Sequence, residues 1–111
     1  MHIFTEIQNP ALQWSFTANH AHFLPGVGIE KFIDAMDFSL CCEVRLADNN
    51  GSYESHLQPG EGSIDFGAMF NKIVGLGYRG HYTNGFGSID DMLIGRDYMV
   101  ARAKEAGVLI N

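Results

Sequence analysis

The sequence predicts an α/β fold built from three parallel βα units, and two observations predict it. Strand-like and helix-like runs alternate three times along the 111 residues. Parallel strands joined by right-handed helical crossovers require that order. The strands also have two unlike faces. One carries Leu12, Trp14 and Phe16, then Leu40, Cys42, Val44 and Leu46. The other carries Gln13, Ser15 and Thr17, then Cys41, Glu43 and Arg45, then His81 and Thr83. A sheet covered by helices on both sides is apolar on both. An apolar face backed by a polar one suits a closed barrel, with helices outside and a polar site on the inner face near the strand C-termini. The alternative is an edge sheet with one wet face.

The elements follow in order. "IFTEIQ" spaces Ile3, Phe4 and Ile7 like a turn or two of helix, and Asn9-Pro10 ends it, because the residue before proline avoids the α region. "LQWSFT" (12–17) alternates apolar and polar, as a strand does. "GIEKFIDAM" sets Ile29, Phe32, Ile33 and Met36 at helical spacing. "LCCEVRL" (40–46) is the second strand. "DFGAMFNKIVGLG" places Phe66, Met69, Phe70, Ile73 and Val74 on one stripe, with Asp65 as N-cap and Gly77 as a left-handed stop. "YRGHYTN" (78–84) is the third strand. Ser88 and Asp91 form a capping-box pattern; Ile89, Met92, Leu93, Val100 and Ala103 line the last helix, and Gly107 ends it.

Length and composition bound the function. The chain is one domain over residues 1–111, with 46 % apolar and 18 % charged residues, enough for a core. The formal charge is −6 and the seven Lys and Arg form no stripe, which argues against nucleic acid as a partner. The apolar runs fall short of the ~18 residues of a membrane helix, so no membrane partner is expected. "MHIFTEIQ" has no basic start and no long apolar core, so no secretory leader is expected. Adjacent strand residues point to opposite faces, so Cys41 and Cys42 cannot readily pair. They are expected to be two buried, reduced thiols of a cytoplasmic protein.

Four motifs offer chemistry. "NHAH" puts His20 and His22 on one side of a strand end; two imidazoles so spaced bind zinc if Asp48 or His56 converges on them. Otherwise His20 faces a substrate and His22 sits in a loop. "HLQPGEGSID" (56–65) has the glycines of a phosphate cradle. It lacks the lysine of a P-loop, and Glu61 and Asp65 repel an anion, so a shaped turn is the better reading. Glu43 and Arg45 share a strand face and suit a structural ion-pair network inside the barrel. Asp48, at the strand end, is either a general base or hydroxyl acceptor, or the start of an Asx turn opening "DNNG". Trp14, Phe16, Phe32, Phe66 and Phe70 are core.

"SFTANHAHF", "EVRLADNNG", "HLQPGEGSIDF" and "GLGYRGHYTNGFG", in this order, resemble the C-terminal part of the sugar phosphate isomerase/epimerase family, the xylose isomerase-like TIM barrels. The resemblance runs over nearly the whole chain, and the loop H-x-x-P-G-E-G-x-I-D-[FW] is its most specific piece. It implies a partial TIM barrel: three parallel βα units equivalent to strands six to eight, with helices on the outer face. The family binds a divalent metal through four side chains at strand ends. One lies upstream. At the others, this chain has Thr17 where the family has an aspartate, Arg45 where it has a histidine, and Asn84 or Gly85 where it has a glutamate. His20 and Asp48 match family positions. The resemblance implies catalytic roles for His20 and Asp48, and substrate contacts from Thr17, Arg45, His56 and Glu61. A hard divalent ion wants carboxylates and neutral imidazole, and a guanidinium repels it, so no metal cofactor is expected.

The expected function is therefore a sugar isomerase/epimerase-like barrel fragment with a degenerate metal site, binding a small sugar or polyol. The alternative is a non-catalytic module or remnant half-barrel. Open strand edges make a homo-oligomer, or an N-terminal half-barrel partner, the expected assembly.

Overall fold

The computed structural model describes residues 9, 11–51, 57–84 and 87–108. Three strands form one open sheet: β1 (Trp14–Thr17), β2 (Cys41–Leu46) and β3 (Tyr82–Asn84), in the order β1-β2-β3. Both pairings are parallel. Helices α1 (Ala18–Phe23) and α2 (Gly28–Ala35) follow β1, α3 (Phe66–Gly75) follows β2, and α4 (Ile89–Glu105) follows β3. This is the α/β architecture of three βα units that the alternating runs predict. The first helix-like run (3–8), His56 and Gly85 lie outside the described residues.

The core lies on one side of the sheet. Phe16 from β1 and Val44 from β2 are fully buried against Ile33 of α2 and Phe66, Phe70 and Ile73 of α3. Trp14 and Phe16 meet Phe32 and Phe38 edge-on or tilted, with ring centroids 5.0–6.3 Å apart. The helix ends follow local chemistry. The Asp65 carboxylate accepts from the Ala68 N–H at 3.0 Å, and Gly77 takes φ +92° after α3. The Ser88 hydroxyl accepts from the Asp91 N–H at 3.2 Å while Asp91 accepts from the Ser88 N–H at 2.9 Å, which completes the capping box. These bonds hold the Asp91 carboxyl below the usual range.

Four expectations are corrected. Trp14 pairs with Cys41 but Ser15 pairs with Glu43, so Cys42 is an extra residue, a β-bulge. The bulge reverses the side-chain alternation before Glu43. Cys41 is buried and its thiol is pushed up by burial, whereas Cys42 is exposed, its Sγ 3.4 Å from the Trp14 carbonyl oxygen. Both thiols are free, but only one is buried. Second, residues 18–23 are helix, not strand end and loop. Third, β3 begins at Tyr82, not at 78. The buried Tyr78 donates its hydroxyl to the His81 carbonyl at 2.6 Å across the irregular stretch that leads into β3; burial pushes that phenol up to about 12. Fourth, α4 packs through Gly95, Met99 and Ala103, while Ile89, Leu93 and Val100 are 73, 44 and 38 % exposed. Small residues let the helix approach closely; a Cβ at Gly95 would overlap the Asn84 amide.

The corrected stripe has a direct consequence. Met99→Ala should cost about 2–5 kcal/mol, whereas Ile89→Ala should stay within about 0.5 kcal/mol. Urea denaturation of both variants checks this; equal losses would restore the large-residue stripe.

Candidate functional site

The loop after β2 is organised around one carboxylate. Asp48 is 1 % exposed. Its Oδ1 accepts from the N–H groups of Asn49 (2.9 Å) and Ile64 (3.2 Å), and its Oδ2 from those of Gly60 (3.0 Å) and Gly62 (3.1 Å). Its backbone forms a two-bond bridge with Leu57. Four backbone donors satisfy a buried carboxylate without a cation. The glycines are required by space. Gly60 has φ +101° and a Cβ there would meet the Tyr98 ring at 2.9 Å. A Cβ at Gly62 would overlap Asp48 Oδ1 and the Asn49 carbonyl oxygen. The loop therefore does cradle an anion, and the anion is the chain's own Asp48.

Further bonds tie this loop to its neighbours. Asn49, fully buried, donates its amide to the Asn19 carbonyl at 2.7 Å. His22 Nε2 and Ser63 Oγ share a hydrogen bond of 2.8 Å. Gln58 donates to the Asp91 carbonyl at 3.0 Å. Glu61 is exposed at the loop tip.

The second feature is the polar sheet face. The register sets Ser15 beside Glu43, and Arg45 between Thr17 and Thr83. Glu43 Oε2 accepts from the Ser15 hydroxyl and Oε1 from the Thr83 hydroxyl, each at 3.0 Å. Arg45 Nε lies 3.8 Å from Glu43 Oε2. The bonds from Thr83 and Ser15, then the charges of Arg45 and His81, hold the Glu43 carboxyl below the usual carboxylate range. A depressed carboxyl stabilises the fold above its unfolded pKa, and that stabilisation is lost as pH falls through the lowered value. The network expected around Glu43 and Arg45 is thus built mainly of the two hydroxyls on Glu43, with Arg45 nearby but not hydrogen-bonded to it. Asn84 belongs to the other side: its amide donates to the Met92 carbonyl of α4 at 3.0 Å.

The third feature is a cavity of about 340 Å³ at the free edge of β1. Ser15, Thr17 and His20 supply polar groups, and Ala21, Phe23, Leu24 and Phe32 supply apolar ones. Thr17 precedes α1 as its N-cap, but its hydroxyl makes no cap bond. The structure thus brings Thr17 and His20 together at a cavity and sets Arg45 beside Thr17 in the sheet; Asp48 and Glu61 do not line the cavity. His20 and His22 do not share a side. Positions i and i+2 of a helix diverge, and His22 turns to Ser63 while His20 faces the cavity. Among the described residues, no three His, Cys, Asp or Glu side chains converge as a metal site. Phe32, expected as core, packs against it and also walls the cavity; Phe23, the other aromatic of the wall, stands on α1, which the strand-like lead-in conceals. No helix among the described residues is long and apolar enough to cross a membrane.

No family model and no curated protein matches the sequence. In three dimensions the chain is similar to a D-tagatose 3-epimerase-like protein, with TM-score 0.73 and 24 % identity over 89 % of this chain and 37 % of that one. It is also similar to the IolI protein solved at 1.8 Å with a zinc atom, with TM-score 0.63 and 16 % identity over 96 % of this chain and 40 % of that one. The resemblance in the sequence thus holds at the level of fold. The chain spans about two-fifths of each, as a partial barrel of three parallel units does.

Asp48→Asn replaces an acceptor oxygen with an amide that faces N–H donors, and should lower stability by about 3 kcal/mol. Glu61→Ala, at the exposed tip, should stay within about 0.5 kcal/mol. Chemical denaturation decides; a neutral Asp48→Asn would remove the carboxylate from the centre of the loop.

Proposed function

We propose that this chain is a partial barrel of the sugar isomerase/epimerase kind that holds a small sugar or polyol beside β1 without a divalent metal. The cavity at Thr17 and His20 carries this reading. Sugars offer hydroxyls and apolar C–H faces, and the lining offers both partners: Ser15, Thr17 and His20 opposite Phe23 and Phe32. The fold supports the general kind, since one of the similar structures is a D-tagatose 3-epimerase-like protein. Asp48 is read as the organiser of the loop rather than as a base, because its oxygens are taken by backbone donors. His20 is read as a substrate contact, and Arg45, beside Thr17 in the sheet but outside the cavity lining, as a second one.

The metal that such barrels use does not fit the donor set. At two of the positions the resemblance assigns to ligands stand Thr17 and Arg45, adjacent in the sheet. A guanidinium does not deprotonate to accept a cation, and a threonine hydroxyl is a poor substitute for a carboxylate. Arg45 can hydrogen-bond an oxyanion but offers no open coordination position, so metal-assisted proton transfer is not ascribed to this chain.

The test is an NMR titration with D-tagatose and other ketohexoses and ketopentoses. Saturable shifts at Thr17 and His20 are expected. Thr17→Val and His20→Ala should each weaken binding about 2- to 10-fold, the worth of one hydrogen bond. Absence of saturable binding by every sugar would sink the reading.

The second reading, a non-catalytic self-associating module, is favoured by the open sheet. Among the described residues β1 and β3 each lack a neighbour on one side, and Ile89, Leu93 and Val100 are exposed on α4. Such edges and side chains recruit further strands and helices, from a second copy or from a half-barrel partner chain. Sedimentation at micromolar concentration should give a dimer or larger; a monomer with a cooperative melt would count against it.

A further inference from the structure

Arg45 holds the position on the polar sheet face where the charge is least committed. Its side chain is 60 % exposed. Its acidic neighbour Glu43 lies 3.8 Å from Nε, beyond hydrogen-bond reach. Both oxygens of Glu43 already accept from hydroxyls, Ser15 on one side and Thr83 on the other. That arrangement draws the carboxylate toward Ser15 and Thr83 and leaves the guanidinium fork without a hydrogen-bond acceptor among the described residues. On either side of Arg45, one strand spacing away, stand its register partners Thr17 and Thr83. The Thr17 hydroxyl is not used as a helix cap, and the same residue lines the cavity with His20.

We propose that Arg45, with the Thr17 hydroxyl, is an oxyanion subsite, so that the ligand is a polyol carrying a carboxylate or phosphate rather than a neutral sugar. The inference rests on the polyol reading of the cavity and narrows it. A guanidinium presents paired N–H donors that match the two oxygens of a carboxylate or phosphate. An oxyanion at Arg45 leaves the hydroxyl-bearing end of a short ligand beside Thr17, Ser15 and His20. Where a metal-binding barrel presents a cation held by carboxylates, this face presents a fixed cation whose own carboxylate is held aside by two hydroxyls. The sign of the ligand it selects is therefore set by the side chain itself.

The test is a chemical-shift titration of the full chain at constant ionic strength with glycerol, D-glycerate, glycerol 3-phosphate and inorganic phosphate. Glycerate or glycerol 3-phosphate should bind at least tenfold more tightly than glycerol and shift Thr17, Arg45 and Thr83. Arg45→Gln should abolish that preference, and Arg45→Lys should keep part of it. Both variants alter an exposed side chain, and an unchanged melting temperature confirms that they fold. Equal affinity for glycerol and glycerate, or a preference that survives in Arg45→Gln, overturns the subsite while leaving the polyol reading standing. Phosphate binding as tightly as glycerol 3-phosphate keeps the subsite and removes the polyol reading. Failure of all four probes overturns both.

Discussion

The carboxylate of Asp48 is the constraint on which the loop after β2 and its neighbours depend. Removing a carboxylate from water costs several kcal/mol, and one or two hydrogen bonds do not offset that. Four backbone N–H groups do, each worth about 1.5–3 kcal/mol when the acceptor is charged. Those four donors come from residues 49, 60, 62 and 64. Holding them fixes the end of β2, the turn through Gly60 and Gly62, and the approach to the Asp65 cap that starts α3. The turn then sets the contact of Gly60 with Tyr98 on α4 and the bond of Ser63 with His22 on α1. One buried charge thus couples three helices to one strand end.

The polar face obeys the opposite rule. Its charges are exposed or half-exposed, and each is held by geometry more than by burial. Ser15 and Thr83 restrain Glu43 from two flanking strands, so the hydroxyls serve as a clamp. Exposed ion pairs contribute little to stability. The value of this face therefore lies in what it presents to a ligand or to another chain. The apolar face supplies the stability, through Phe16, Val44, Phe70 and Ile73. The two faces of β1 and β2 have separate duties, and the cavity at the β1 edge is where they meet.

Much of this was legible in the sequence where the determinants are local. The Asp65 cap, the Ser88–Asp91 box and the stops at Gly77 and Gly107 each depend on a few consecutive residues, and all are present. The parallel order and the one-sided core followed from alternation. The cavity was not legible, because α1 hides behind a strand-like lead-in, "SFTANHAHF". The role of Asp48 as loop organiser was not legible, since three of its four donors lie 12 to 16 residues downstream and only the folded loop brings them together. Of the expected α4 stripe Ala103 is buried, but Ile89, Leu93 and Val100 are exposed and Gly95 and Met99 take their place, because close approach to the sheet favours a glycine that apolar periodicity does not mark. The unequal burial of the two thiols was not legible, because a bulge is a property of two strands, not of one.

That bulge has a consequence for how the sheet assembles. Two strands of regular alternation can slip along one another, and each slip by one residue turns core side chains outward. Cys42 interrupts the alternation at a single place, opposite the step from Trp14 to Ser15. Only one alignment absorbs the surplus residue and still buries Phe16 beside Val44. Neighbouring alignments place the irregularity against regular backbone and lose both the ladder and the core contact. The duplicated cysteine thus acts as a notch that selects one pairing among several, and it makes β1–β2 the self-indexing half of a sheet whose β3 strand has three residues.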